Sequence, residues 1–515
     1  MNQNLHRRSF LKWVGAGTAA VSLPVLAGCG SKANLLNTEC ADSCRGGTYF
    51  DRFNVTGAML KRVIDKGLSR GGDFCDIYFQ HTVTHWTGME DGQVNRAFSS
   101  VDLGAGIRVL KGDATGFAYC EDLSEKALVS AAETAAAVAD GSPNVRPAPL
   151  AGVQVPNYYN TNVSWDEIGI NEKLPFIQNV DSRIRKRDDR IIRATLYLGD
   201  ETTNIMLANS DGQLVEDYRP MATFWVTCVG NDNGRIETSS NSVSGRSTMP
   251  FLKSEVPSLA DRVVDNTISM FSAVEPPSGE LPVVLEAGNS GILLHEAIGH
   301  GMEADFNRKG ISIYADRIGT RIASPDVTIL DDGTNPGLRG TINVDDEGSP
   351  TEATTLVEKG ILRSFMHDRI SAKHYKLAST GSGRRQSFRY PPVPRMRNTY
   401  MISGPMDPNE IIASVKDGIY AETFANGEVN IGAGDFTFFL NKGRLIKNGK
   451  LTDVIKDANL IGSGPKVLEA IDMVGNNSTM MCGGGSCGKD GQFVPVGFGL
   501  PTVRAGAISI GGRNA

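Results

Sequence analysis

Residues 291–310 read GILLHEAIGHGMEADFNRKG and bring three groups with metal chemistry into six positions. The imidazoles of His295 and His300 suit zinc. Glu296 follows the first histidine, as the general base does in the H-E-x-x-H signature of metalloproteases. In that signature the histidines stand four apart on one helical face. Here they stand five apart, which on an unbroken α-helix turns them roughly 140° from each other. A π turn would bring His300 back toward the face of His295; alternatively, the helix ends before His300. Gly299 and Gly301 loosen the backbone for either. Two histidines that merely share a helix end are the plain alternative, although the chain holds only seven.

A catalytic zinc site keeps three protein ligands and one open position. The glycine-rich stretch GNNSTMMCGGGSCGKDGQFVPVGFG holds Cys482 and Cys487. Both thiols together would close a four-ligand structural site, and their separation also suits a disulfide. Glu303 and Asp305 are further oxygen donors, either to a metal or to the imidazoles. Arg384 and Arg385, in GSGRRQS, are positive candidates for contact with a substrate or a transition state.

The elements that must position these groups follow from periodicity and turn residues. VVLEAGNSGILLHEAIGHGMEAD reads as strand, turn and helix, with Asn289 or Ser290 as the cap. Beyond residue 320 the pattern is mostly strand: VTILDDG, GTINVDDEG and TTLVEKGILRSFMHD, then VNIGAGDFTFFLNKGRLIKNGK. One helix fits DPNEIIASVKDG, with Asp407 near its cap. Upstream, a helix near residues 55–68 precedes a hairpin that starts at Cys75 and turns at Asp91-Gly92. Two short strands flank Gly112-Asp113, and DLSEKALVSAAETAAAVAD reads as an amphipathic helix. Residues 166–183 look helical, and two strand-turn units follow from Ile191. The fold class is α+β. A mixed α/β, hairpin-containing N-terminal domain spans residues 51–275, and a strand-rich C-terminal domain with the metal candidate spans 276–515. The boundary falls near EPPSGELP.

The first 29 residues are a targeting segment. Arg7 and Arg8 are followed by Phe10, Leu11 and Lys12, then by a weakly hydrophobic run to Leu26. That run is too short to cross a bilayer, which takes about 20 apolar residues. The pattern resembles a twin-arginine export signal. LAGC, residues 26–29, resembles a lipobox, which makes Cys29 a candidate for lipidation and a membrane tether. Residues 30–50 read as a linker. Cys40 and Cys44 could pair in an oxidising compartment, while Cys75, Cys120 and Cys228 read as buried thiols. The net charge of −6, with no basic tail or dense basic patch, argues against nucleic acid as a partner.

Five stretches together resemble the TldD/PmbA family of bacterial metallopeptidases, on its TldD side. They are LLHEAIGHGMEADFNRKG, DDGTNPGLRGTINVDDEG, SGRRQSFRYPPVPRMRNTYM, SCGKDGQFVPVGFGLPTVR and, upstream, DLGAGIRVLKGDATGFAYCEDL. The family motif is H-E-x-x-x-H, so the five-residue spacing is its own pattern. The resemblance implies His295, His300 and Cys487 as ligands of one Zn2+ per chain, with Glu296 activating the zinc-bound water. The family usually has no cysteine at the place of Cys482. The resemblance also implies small or unstructured peptides as substrates, and a dimer with a PmbA-type partner that lacks the metal motif. The export signal leaves a homodimer equally open. The remaining readings are a zinc amidohydrolase acting on a non-peptide or cell-wall amide, and a non-enzymatic lipoprotein with a structural Cys/His site.

Overall fold

In the computed structural model, residues 47–159, 161–481 and 483–511 are described; the export leader, Cys29, Cys40, Cys44 and Cys482 lie outside the described residues. Thr56 opens helix α1 (Gly57–Gly67) by accepting from the Met59 N–H, and Ser124 opens α2 (Glu125–Ala136) in the same way. Between them run β1 (Phe74–Glu90), β2 (Gln93–Lys111) and β3 (Ala114–Cys120). The hairpin turn falls at Asp91-Gly92, both with positive φ. The two short strands expected around Gly112-Asp113 are β3 and the far end of β2. The hairpin strand and its successor are one continuous ribbon, because residues 99–104 keep pairing with β1.

After α3 (Ile170–Arg187), the strands β4 (Ile191–Asn209), β5 (Gln213–Asp232) and β6 (Arg235–Gly245) extend the sheet in the antiparallel order β3-β2-β1-β4-β5-β6. Alternation gives the sheet two faces. Leu196, Leu198, Phe224 and Val226 enter a core with Leu252, Val256 and Leu259 of helix α4 (Met249–Ser269). Tyr197 and Trp225, in the alternate positions, face away from it. The sequence reading assigned no element to residues 246–274. Pro250 sits in the first turn, where its missing N–H is harmless, and packing carries the helix past Pro257.

Beyond Gly279 the chain is strand-rich. The strands Asp417–Val429, Gly279–Leu285, Val503–Gly511, Ala458–Ser463 and Asp435–Lys447 pair in that order, and the last pairs with the first, so they close into a barrel. A second sheet contains Ile329–Asp332, Asn398–Met401 and Gly497–Leu500. The helix of the HEAIGH stretch lies in the core shared by barrel and sheet, with Leu293, Leu294, Ala297, Ile298 and Met302 all buried. The helix at Pro408–Ala413 has Asp407 as its cap. GTINVDDEG is not a strand. Asp345, Asp346 and Glu347 are buried in succession and accept backbone and arginine hydrogen bonds, whereas a strand sends successive side chains to opposite faces. Mixed α/β N-terminal half followed by a strand-rich C-terminal half is thus the observed architecture.

Candidate metal centre

The five-residue spacing is accommodated by a π turn. Ile292–Leu294 is α-helical, His295–Gly299 is π-helical, and His300–Met302 is a 3-10 turn. The His300 N–H donates to the His295 carbonyl, five residues back, so one extra residue per turn is absorbed. The two imidazole centroids come to 5.1 Å, edge to face. Gly299 does not loosen this turn: its φ of −56° and ψ of −53° are ordinary helical angles. It is glycine because a Cβ would lie 2.0 Å from Sδ of Met396. Neither Asn289 nor Ser290 caps the helix, since no side-chain capping bond is made. The Ser290 hydroxyl donates to the Ala421 carbonyl instead.

Cys487 arrives on the strand Ser486–Lys489, the first arm of a hairpin that turns at Asp490-Gly491. Alternation points Cys487 and Lys489 inward and Ser486 and Gly488 outward. One donor atom each of His295, His300 and Cys487 lie within 4.8 Å of one another, and all three residues are buried. Cys487 Sγ is 3.5 Å from His300 Nε2. A tetrahedral zinc with Zn–S of about 2.3 Å and Zn–N of about 2.1 Å separates sulfur from nitrogen by about 3.6 Å. Nδ1 of His295 is buried without a hydrogen-bond partner among the described residues. Two imidazoles, one thiol and an orphaned ring nitrogen fit a zinc ion.

The electrostatics agree. Burial opposes ionisation of Cys487, but His295 and then His300 override it and hold the thiol well below its usual pKa. Burial likewise opposes a charged His300, yet Glu303 and Cys487 hold its pKa well above the ordinary value. Glu303 is wholly buried, with Oε2 3.0 Å from His300 Nδ1. Burial would raise its pKa, but Lys489 and His300 keep it at about 2. Glu303 and Asp305 therefore stand outside the three-donor cluster, both bonded to Lys489. Lys489 and Arg395, whose guanidinium donates to the Cys487 carbonyl, escaped the sequence reading. The lysine two positions after Cys487, on the same side of a strand, was the available signal.

Glu296 stands 4.0 Å from His300 Nε2 and borders, with His295, a cavity of about 960 Å³. Burial raises the Glu296 pKa against the lowering pull of the two histidines. Trp225 and Ser242 from the N-terminal sheet also line it, with Lys442 and Phe498 from the C-terminal half. Arg384 and Arg385 do not border this cavity. Both are buried: Arg384 donates to the Met396 carbonyl, and Arg385 donates to the Asp346 carbonyl and lies 3.6 Å from Asp76 and 4.4 Å above the Tyr78 ring. Nε and Nη1 of Arg385 are buried without a hydrogen-bond partner among the described residues.

Models of the PmbA/TldA metallopeptidase match the chain in three successive parts: domain 1 over residues 75–139, the central domain over 163–271 and the C-terminal domain over 278–512. A twin-arginine translocation signal matches residues 4–24, and no helix among the described residues is long and apolar enough to cross a membrane. The "Metalloprotease TldD homolog" of Haemophilus influenzae is 36% identical over 469 residues, covering 90% of this chain and 97% of that one. Its namesake in Buchnera aphidicola (Schizaphis graminum) is 36% identical over 448 residues, covering 85% and 93%. A Thermotoga maritima crystal structure, described as a putative modulator of a DNA gyrase, shares the fold with a TM-score of 0.73 at 19% identity, covering 90% of this chain and all of that one. With its export signal and its buried His/His/Cys cluster, the chain belongs to the PmbA/TldD family of zinc metallopeptidases, on the TldD branch.

Proposed function

We propose that the exported chain hydrolyses peptide bonds in small or unstructured peptides, with one zinc held by His295, His300 and Cys487 and with Glu296 as general base. The observation that carries this reading is the Glu296 carboxylate, 4.0 Å from His300 Nε2 on the wall of the cavity. Zinc bound to this donor set supplies Lewis acidity toward a scissile carbonyl and an attacking water. Glu296 takes the proton of that water and returns it to the departing amine. Burial raises its pKa, which brings the carboxylate nearer the poise a proton shuttle needs. With zinc in place of the Nε2 proton, Glu303 would accept from Nδ1 of His300 and so fix the tautomer that leaves Nε2 for the metal.

The cavity lining supports this substrate class. Every residue from Ile236 to Ser242 borders the cavity, so β6 meets it along an edge rather than with one face. Among the described strands β6 pairs with β5 alone. Such an edge accepts an extended peptide as an added strand, which favours unstructured chains over folded ones. The chain acts as a dimer, with a PmbA-type partner or a second copy, as two units over residues 51–275 and 276–515. Lipidated Cys29 tethers it to the membrane, and mass spectrometry that finds an unmodified N-terminus elsewhere removes the tether.

The test is Glu296→Gln on zinc-loaded protein against a peptide panel and a cell-wall amide. The variant keeps one zinc and loses at least about 100-fold in rate, the lower range for a removed general base. Native-rate cleavage by zinc-loaded Glu296→Gln refutes the mechanism. Cleavage of the cell-wall amide alone selects the amidohydrolase reading.

A further inference from the structure

Lys489 belongs to the SCGKDGQ stretch but touches neither the cavity nor the three donor atoms. It is 8% exposed, and all three of its ammonium protons have acceptors: Glu303 Oε2 at 3.2 Å, Asp305 Oδ1 at 2.7 Å and the Pro394 carbonyl at 3.0 Å. The ammonium also lies 4.2 Å above the Phe306 ring. Glu303 in turn holds His300, and His300 faces Cys487 at 3.5 Å. Cys487 and Lys489 share the inward side of one strand. These four side chains close a ring: Cys487, its own strand, Lys489, Glu303, His300, and back to Cys487. Arg395 braces it by donating to the Cys487 carbonyl, with Nε 3.8 Å from Glu303 Oε1.

From this ring we infer that Lys489 and Glu303 are positioning residues that clamp the Cys487 strand to the His300 helix, so that the ligands stand assembled before the metal arrives and release it slowly. The inference rests on the zinc reading above. Fold stability alone does not explain the pair. A buried ion pair repays its desolvation poorly, and replacing both partners with neutral groups of similar size is often harmless to a fold. A histidine ligand whose far nitrogen is held by a carboxylate gains a fixed ring plane and a fixed tautomer, and losing such a partner typically weakens metal binding 10- to 100-fold. Here the carboxylate is itself held from the strand that carries the third ligand. The clamp therefore acts on two ligands at once, and its parts act as one.

The experiment compares native protein with Lys489→Met, Glu303→Gln, the double variant and Lys489→Arg. Zinc release into excess chelator gives the rate, the visible spectrum of Co2+-substituted protein gives the ligand geometry, and metal-free melting gives stability. Each single neutral variant should release zinc about 10- to 100-fold faster and shift the cobalt thiolate band. The double variant should be no faster than the worse single, and should melt without metal no lower than Lys489→Met, which already takes the ammonium from Asp305. Lys489→Arg should restore much of the slow release. Native-rate release from a folded Lys489→Met, or single effects that multiply in the double variant, overturns the clamp. A native protein that takes up neither zinc nor cobalt overturns the zinc reading first and the clamp with it.

Discussion

Replacing Gly299 with alanine tests how the five-residue spacing is held. The backbone there is helical, so alanine in an open helix would be worth about 1 kcal/mol in its favour. The added methyl, however, would sit 2.0 Å from Met396 Sδ and 3.0 Å from its Cε, against an ordinary contact of about 3.8 Å. Met396 is fully buried and its carbonyl accepts from Arg384, so its side chain has no solvent to swing into. Overpacking of this kind costs about 1–3 kcal/mol. The net effect of Gly299→Ala is then a loss of up to about 2 kcal/mol. The displacement falls on the turn between two metal donors, so zinc affinity should drop as well. Met396→Ala alone leaves a cavity and costs about 2–5 kcal/mol. In the double variant the new methyl enters the vacated space, so the two changes should cost at least about 1 kcal/mol less together than their sum. Denaturant unfolding and chelator competition on the four proteins measure both effects. Strict additivity, or a Gly299→Ala protein that is simply more stable, refutes the packing argument and returns the glycine to a role in backbone freedom.

Other outcomes follow from the same geometry. Burial, reinforced by Glu422 and opposed by Lys442 and Arg444, pushes Glu286 up to about 7 beside Tyr420. A raised carboxylate means the folded state binds the extra proton, so stability falls as pH rises from about 4.5 to about 7, by about 3 kcal/mol. Glu286→Gln should melt like the native protein at pH 5 and about 3 °C higher at pH 8; equal shifts at both pH values contradict the assignment. Trp225, 37% exposed on the cavity wall, should on change to alanine raise KM for extended peptides more than it lowers kcat, read from steady-state kinetics. Cys487→Ser removes the ionisable sulfur, so chelator should no longer lower its melting point, while native protein at 100-fold zinc excess over Kd should lose about 2.7 kcal/mol on stripping.

The metal candidate was legible because its parts are short and local. HEAIGH and SCGK each fit within six residues, and the inward alternation of Cys487 needs only a strand around it. The packing around the π turn was not local. Met396, about a hundred residues away, fills the space beside Gly299 and leaves no room there for a Cβ. The same distance problem hides the surroundings of Arg384 and Arg385. A paired arginine in GSGRRQS looks solvent-ready until Asp346 and Asp76 are found beside it, one from the C-terminal half and one from β1. GTINVDDEG has the alternation of a strand, but its acids answer to arginines on other elements. Helix α4 holds two prolines, and what carries it past Pro257 is packing against the sheet rather than local pattern. Local chemistry is written in the sequence; which charge meets which across the fold is not.

That long-range pairing has a mechanical consequence for catalysis. One wall of the cavity is the edge of β6, while the metal donors come from the C-terminal half. Hydrolysis at a bound peptide needs the two held in fixed register, because a misplacement of about 1 Å can cost about 100-fold in rate. Arg108 of β2 bonds both Asp76 of β1 and, at 2.6 Å, Glu347. Arg219 of β5 bonds Asp217 at 2.8 Å and Asp346 at 2.6 Å, and donates to the Val344 carbonyl. All of these side chains are buried. Exposed pairs of this kind would be worth at most about 1 kcal/mol and would tolerate sliding. Buried ones do not, since parting a charge from its partner out of reach of water costs about 3–5 kcal/mol. The acids of GTINVDDEG thus fasten the N-terminal sheet to the half that carries the candidate metal donors. Buried ion pairs of Arg108 and Arg219 join the N-terminal sheet to the loop of Asp346 and Glu347.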